Sequence, residues 1–349
     1  MENLEVKRNF WRNKKVLITG NLGFKGSWLC LQLDFLKASI YGVDNKSSNS
    51  SLISNHLKKY VKKQYLCDVT DLKKIKMIIA KVMPDIIIHL AAQPLVIESV
   101  QNPISTFEVI LGTLNILEAS RNQKKLKSIL IVTTDKVYKN NEQNTYFSEN
   151  NELGGDDPYS ASKASVEIIC NSYNNSFFKH SKINLASARA GNVIGGGDVS
   201  ANRLVPDIFR AIKKNNNLKI RNKHHVRPWQ HVLDCNNGYL TLLEKLYFSN
   251  DYSGSWNFSS NYKKYTVQNI CDEFSKKLNL KYTYSKKNNI EKKTLVLNSF
   301  KSRRKLKWKN YLSFKKMISN TIYWYNNFLN GQKADLICIE QIKEYYLSK

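Results

Sequence analysis

The sequence holds little that would tie it to a disulfide framework, a metal or a membrane. Its six cysteines, at 30, 67, 170, 235, 271 and 338, stand far apart and form no CxxC pair. Several sit inside apolar runs, as in Ser27-Trp28-Leu29-Cys30-Leu31 and Ile168-Ile169-Cys170, so they read as buried reduced thiols and leave no metal-ligand cluster. No apolar run approaches the ~20 residues of a membrane span. The charged start, Met1-Glu2-Asn3-Leu4-Glu5-Val6-Lys7-Arg8, carries no signal-peptide core. These absences predict a cytoplasmic protein with no membrane partner.

Acidic residues are also scarce, 28 against 55 basic, for a net charge of +27. A nucleic-acid surface is one reading of such an excess. However, 45 of the basic residues are lysine and only 10 arginine, and they are scattered. Base-specific recognition leans on arginine's bidentate fork. The excess therefore reads as lysine-rich solvated faces with no nucleic-acid partner, able to steer a diphosphate-bearing substrate. At 349 residues, 42% of them apolar, the chain suits one large domain or two modest ones.

Short β-branched runs alternate with helical stretches through the first half. Strands are expected at Val16–Thr19, Ile40–Val43, Gln64–Cys67, Ile86–Ile88, Ser128–Val132 and Ile183–Ala188. Helices are expected over Gly23–Leu36, Asp71–Val82, around Leu114–Glu118, and over Tyr159–Phe178. This alternation predicts an α/β fold, a doubly wound parallel (Rossmann) sheet with ligands at the carboxyl ends of its strands. The rhythm breaks after Gly191, at Gly195-Gly196-Gly197 and Asn215-Asn216-Asn217. Residues 10–191 are thus expected to form the cofactor-binding domain, and 192–349 mainly a smaller substrate-binding lobe. Lys286–Lys293 reads as a surface loop.

Thr19-Gly20-Asn21-Leu22-Gly23-Phe24-Lys25-Gly26 follows the first strand and opens a helix. Gly20, Gly23 and Gly26, with Phe24, suit a tight turn and close approach to a pyrophosphate at a helix N-terminus. Asp44 lies 18 residues beyond Gly26, where a carboxylate accepts hydrogen bonds from adenosine ribose hydroxyls and favours NAD. Lys46 nearby leaves NADP as the minor alternative. Asp68 and Val69 read as adenine contacts, Asp68 equally as a helix cap. Ala91-Ala92-Gln93 suits a wall on the nicotinamide side. Tyr159 and Lys163, four apart, share one helix face. A neighbouring cation favours the phenolate, so this pair can act as a base while Lys163 also holds a ribose hydroxyl. Thr133-Thr134 brings a hydroxyl toward the same edge.

Taken together, the glycine loop, Leu90-Ala91-Ala92-Gln93, Thr134 and Tyr159-x3-Lys163 resemble the extended short-chain dehydrogenase/reductase family. Longer segments narrow the resemblance to its nucleotide-sugar 4,6-dehydratases. These are Gly23-Phe24-Lys25-Gly26-Ser27-Trp28, Thr134-Asp135-Lys136, Arg189-Ala190-Gly191-Asn192-Val193-Ile194-Gly195-Gly196-Gly197-Asp198 and Arg227-Pro228-Trp229-Gln230-His231-Val232. The resemblance implies NAD as cofactor, a CDP-hexose as substrate and a homodimer. In that chemistry Tyr159, with Thr134 and Lys163, removes the C4 hydroxyl proton. Asp135 is then the acid for the C6 hydroxyl and Lys136 the base at C5. An adjacent cationic Lys136 is expected to lower the pKa of Asp135, against that role. Arg227 is the expected diphosphate ligand, with Asn192 and Arg203 as further substrate contacts. Two positions depart from the pattern, Val109 where asparagine is usual and Val199 where tryptophan is usual. A 4-epimerase, a dehydratase of a dTDP-, GDP- or UDP-hexose, and a non-catalytic binder on the same fold stay open.

Overall fold

Seven short strands, apolar because both faces are covered, form the centre of the molecule. The computed structural model describes residues 2–45, 51–142, 146–260, 264–278, 280–285 and 292–347. The strands are β1 (Lys15–Thr19), β2 (Ser39–Asp44), β3 (Lys63–Leu66), β4 (Ile86–His89), β5 (Ser128–Val132), β6 (Asn184–Ala190) and β7 (Gly254–Phe258). Their order is β3-β2-β1-β4-β5-β6-β7, and every pairing is parallel. Strand order reverses between β1 and β4, where Val16 pairs with both Ile40 and Ile86. In a doubly wound sheet the ligand crevice opens at that reversal.

The expected doubly wound sheet is present, with one strand more than the sequence indicated. β7 comes from the C-terminal half, where Gly254-Ser-Trp-Asn-Phe258 is too short to show a period. It joins β6 because Trp256 and Phe258 are fully buried against the helices covering that face.

The helices are α1 (Glu2–Trp11), α2 (Phe24–Phe35), α3 (Leu72–Val82), α4 (Val96–Gln101), α5 (Pro103–Ser120) and α6 (Pro158–Tyr173). They continue with α7 (Leu204–Lys213), α8 (Val232–Leu246), α9 (Val267–Leu278), α10 (Phe300–Leu306), α11 (Phe314–Leu329) and α12 (Ala334–Leu347). Alternation along β1 sorts them. Val16 and Ile18 point into a core shared with α2, α8, α11 and α12, and Leu17 into one shared with α3, α5 and α6. No helix among the described residues is long and apolar enough to cross a membrane.

Helix ends follow local chemistry. Asp71, not Asp68, caps α3 by accepting from the Lys74 N–H at 3.0 Å, and Met83 ends it in the left-handed region. Asp157 caps α6 through the Ser160 N–H at 3.0 Å, with Pro158 in the first turn. The expected helix to Phe178 is α-helical only to Tyr173; Asn174–Phe178 is a π-turn. Lys46 and most of the Lys286–Lys293 segment lie outside the described residues.

One buried ion pair joins α6 to the sheet. Glu167 accepts from Arg189 at 2.8 Å with both side chains under 5% exposed. Ser187 donates to the same carboxylate oxygen at 2.6 Å, and the Thr133 hydroxyl donates to the other. Arg189 also donates to the Tyr138 hydroxyl at 2.8 Å, which donates to Asn257 at 2.7 Å. Four elements are thereby linked: α6, β6, the turn after β5, and β7. Removing one member of such a pair leaves an uncompensated buried charge, at a cost of roughly 3–5 kcal/mol. Urea unfolding should therefore show Glu167→Gln and Arg189→Met each strongly destabilised, and the double variant less destabilised than the sum. Additive losses would show that the two groups are not coupled.

Candidate active site

Three segments meet at the carboxyl edge of the sheet: the glycine loop after β1, the turn after β5, and the first turns of α6. Gly20 has a φ of +70°, and a Cβ there would lie 2.7 Å from the Ala91 backbone nitrogen, so no other residue fits this turn. Gly23 caps α2 without a side-chain hydrogen bond, leaving first-turn N–H groups for an anion. Asp44, at the end of β2, accepts from the Leu22 N–H at 3.2 Å and so adjoins the same loop. A glycine cradle, an open helix N-terminus and a carboxylate at the next strand end are what a dinucleotide requires.

The loop is braced from two sides. Asn21 and Gln64 exchange amide hydrogen bonds of 2.8 and 3.1 Å. The Trp28 indole donates to the Gly196 carbonyl at 2.9 Å, joining the glycine loop's helix to the Gly195–Gly197 turn. Gly196 has no room for a side chain, since a Cβ would lie 1.9 Å from Trp324. Gln93 turns its amide to Leu95 and Thr106, fixing the segment after β4 against α5. Asp68 accepts from Asn45 and Thr70, while Val69 packs on Gly112 of α5. Asn115 holds that segment through the Val69 and Thr70 carbonyls at 3.0 and 2.7 Å. Val109, where asparagine was expected, is simply buried apolar surface.

Beside the loop opens a cleft of about 500 Å³, lined among others by Thr134, Asp135, Lys136, Tyr159, Arg203 and Arg227. Asn192 lines it as well. Lys163 is buried one turn behind Tyr159. Thr134 donates to Asp135 at 2.9 Å, and the Tyr159 phenol lines the same cleft beside it. The other carboxylate oxygen of Asp135 is buried with no hydrogen-bond partner among the described residues. Arg203 pairs with Asp198 at 3.1 Å. Arg227 is buried and lies 3.0 Å from the His225 ring nitrogen. Trp229 lines the cleft and joins the core, whereas His231 caps α8 through the Leu233 N–H at 3.2 Å.

Electrostatics correct two expectations. Burial pushes the Asp135 carboxyl up despite the opposing pulls of Lys136, the Thr134 hydrogen bond and Arg227. Desolvation outweighs the neighbouring cation, so the protonated acid is favoured. Burial also raises the Tyr159 phenol; the Thr134 hydroxyl, more than any Lys163 charge, offsets it. Lys163 itself is pushed down to about 8, by burial first and by Lys25 second, with Glu167 opposing. Lys136 is half-buried on the same turn as Asp135.

A family model described as GDP-mannose 4,6 dehydratase matches residues 17–321. The chain belongs to that family. Members of the wider group include CDP-glucose 4,6-dehydratase of Salmonella typhimurium, 34% identical over 98% of this chain and 99% of that protein. The UDP-glucose 4-epimerase of Mycoplasma genitalium is 28% identical over 90% of this chain and 97% of its own. Among solved structures, dTDP-glucose 4,6-dehydratase of Streptomyces venezuelae, determined with NAD bound, superposes with a TM-score of 0.79. It is 19% identical and covers 90% of this chain and 97% of its own, a likeness of fold.

Four functional features were not singled out from sequence: the Glu167–Arg189 pair, the Trp28–Gly196 brace, Asn115, and Lys25 at the edge of the cleft. Glu167 had a signal, since it follows Lys163 by one helical turn on the buried face. The raised Asp135 pKa has a stability consequence. A carboxyl whose folded pKa exceeds its unfolded value disfavours folding at neutral pH, and that penalty vanishes at pH below ~4, where both states are protonated. Asp135→Asn is therefore expected to stabilise the protein by about 1 kcal/mol at pH 7. Urea melts at neutral and acid pH check this; a variant less stable at pH 7 would contradict it.

Proposed function

We propose that the protein is a nucleotide-sugar 4,6-dehydratase, converting CDP-glucose to CDP-4-keto-6-deoxyglucose and water with NAD as its cofactor. The observation that carries this reading is that Tyr159, Thr134 and Asp135 line one cleft, with Thr134 donating to a carboxyl that burial pushes toward its protonated form. Proton removal at a C4 hydroxyl needs only the Tyr159 phenolate. Loss of the C6 hydroxyl as water needs an acid beside it, and a protonated Asp135 supplies one. An epimerase has no use for that acid.

The glycine loop, with Phe24, Asp44, Ala91 and Ala92, would hold NAD, and Asp68, Val69 and Gln93 would complete its surroundings. Bound there, NAD would supply hydride acceptance and return within one turnover, so the overall reaction would be redox-neutral. Tyr159 takes the C4 hydroxyl proton, helped by Thr134 and by the Lys163 ammonium. Lys136 takes the C5 proton, exchanges with solvent, and delivers a solvent-derived proton to C5 after water has left. The proton that Tyr159 gains balances the one that Asp135 loses. Arg227 would clamp the substrate diphosphate, with Asn192 and Arg203 along the sugar and nucleotide. On this reading residues 10–191 chiefly serve the cofactor and 192–349 the substrate.

The active unit is proposed to be a homodimer in the cytoplasm, a setting suited to six buried, unpaired thiols. Helix α5 exposes Ile104 (79%), Phe107 (41%) and Leu111 (47%) at three- and four-residue spacing, an apolar stripe that a second copy's equivalent helix would cover. Phe107→Glu with Leu111→Glu should give a monomer by light scattering; an unchanged mass would place the interface elsewhere.

Product analysis against CDP-, dTDP-, GDP- and UDP-hexoses tests the function. A 4-keto-6-deoxy product from CDP-glucose, with solvent deuterium at C5, is expected. An unlabelled C4 epimer, or no product from any of the four, would sink the reading. Since kcat/KM reports ionisations of the free enzyme, it should fall as pH rises through about 8, where Lys163 loses its proton. The Glu167 carboxylate favours the Lys163 ammonium, so Glu167→Gln should move that limb to lower pH. A limb near the ordinary lysine value of ~10.4 would contradict this assignment.

A further inference from the structure

One cation in the cleft has no part in the chemistry so far. Lys25 lies in the first turn of α2, directly after Phe24, and lines the cleft that holds Tyr159 and Asp135. Its ammonium makes no hydrogen bond or ion pair with any described residue; its one contact of note is the face of Tyr239, 5.8 Å to the ring centroid. Tyr239 is itself fully buried on α8. A positive charge is poorly placed here on local grounds. It opposes the positive end of the helix dipole and sits with Lys163 and Arg203, which carry the same sign. Burial accordingly pulls the Lys25 pKa down, with Arg203 pulling the same way and Asp135 and Cys235 resisting. An ammonium half-buried there without a protein partner puts its charge on whatever the cleft binds.

The ligand whose charge changes in this cleft is the cofactor. Bound beside Tyr159 and Lys163, its nicotinamide is cationic when oxidised and neutral when reduced. We propose that Lys25 biases the bound cofactor toward its reduced form, by repelling the oxidised nicotinamide and tolerating the neutral dihydronicotinamide. Hydride leaving C4 is then drawn onto the cofactor and held there until water has been eliminated. The inference rests on the proposed NAD chemistry, and it assigns Lys25 a positioning role through charge, without contact to the reacting atoms.

The test needs no turnover. Dissociation constants for NAD+ and NADH are measured by calorimetry or NADH fluorescence on the wild type, Lys25→Met, Lys25→Gln and Lys25→Arg, with melting curves to establish that each variant folds. Removing one unit charge from the same cleft at an effective dielectric of ~20 should change the preference by about tenfold. The expected result is that Kd(NAD+)/Kd(NADH) falls by about tenfold in Lys25→Met and Lys25→Gln, mostly through tighter NAD+, and is kept in Lys25→Arg. For a two-electron couple, tenfold corresponds to about 30 mV in the bound cofactor's potential. Equal weakening of both forms would make Lys25 a diphosphate ligand and overturn the proposal, as would an unchanged ratio. Failure of the wild type to bind either form would sink the cofactor reading and this inference with it.

Discussion

Glu167 fixes Arg189 at 2.8 Å inside the molecule, and the positions of the reacting groups depend on that pair. Tyr159 and Lys163 stand on the same helix as Glu167, and Thr134 on the turn that Thr133 anchors to the same carboxylate. A parallel sheet alone cannot set these relations, because helix α6 could slide along it with little loss of apolar contact. A charged pair without water cannot slide, since any mismatch leaves a buried charge unpaired. The hydrogen bonds from Ser187, and from Arg189 on through Tyr138 to Asn257, extend the constraint to β6 and β7. The geometry of the site is thus decided behind it.

Dryness then sets the chemistry. The same burial raises the Asp135 carboxyl, raises the Tyr159 phenol and lowers the Lys163 ammonium, in every case toward the neutral form. For Asp135 this favours the protonated acid, which exposure beside a lysine would not. Tyr159 needs more than its helix neighbour to act as a base, and the Thr134 hydroxyl supplies part of it. Thr134 thus stands beside both the Tyr159 phenol and the Asp135 carboxyl.

Much of this was legible in the sequence, for identifiable reasons. The apolar runs of β1, β4 and β5 show plainly because strands covered on both faces have no polar alternation to blur them. The glycine loop is legible because Gly20 must adopt a positive φ and admit the Ala91 backbone. Tyr159, Lys163 and Thr134 came from spacing and strand ends, and the structure brings all three to one edge. What stayed hidden was long-range. Glu167 meets Arg189 across 22 residues, and Trp28 meets Gly196 across 168, so neither leaves a local pattern. β7 was missed because five residues show no period. The sign of the Asp135 shift was misjudged because adjacency in sequence showed the cation but not the burial.

The central proposal is that Asp135 serves as the acid of the elimination, separable from the oxidation that Tyr159 would begin. Its most direct test is a single-turnover experiment on Asp135→Asn with NAD and CDP-glucose, following cofactor absorbance and sugar mass together. The account predicts that reduced cofactor accumulates beside a 4-keto hexose that keeps its C6 hydroxyl. Full conversion to the 4-keto-6-deoxy sugar, with no reduced cofactor accumulating, would contradict it.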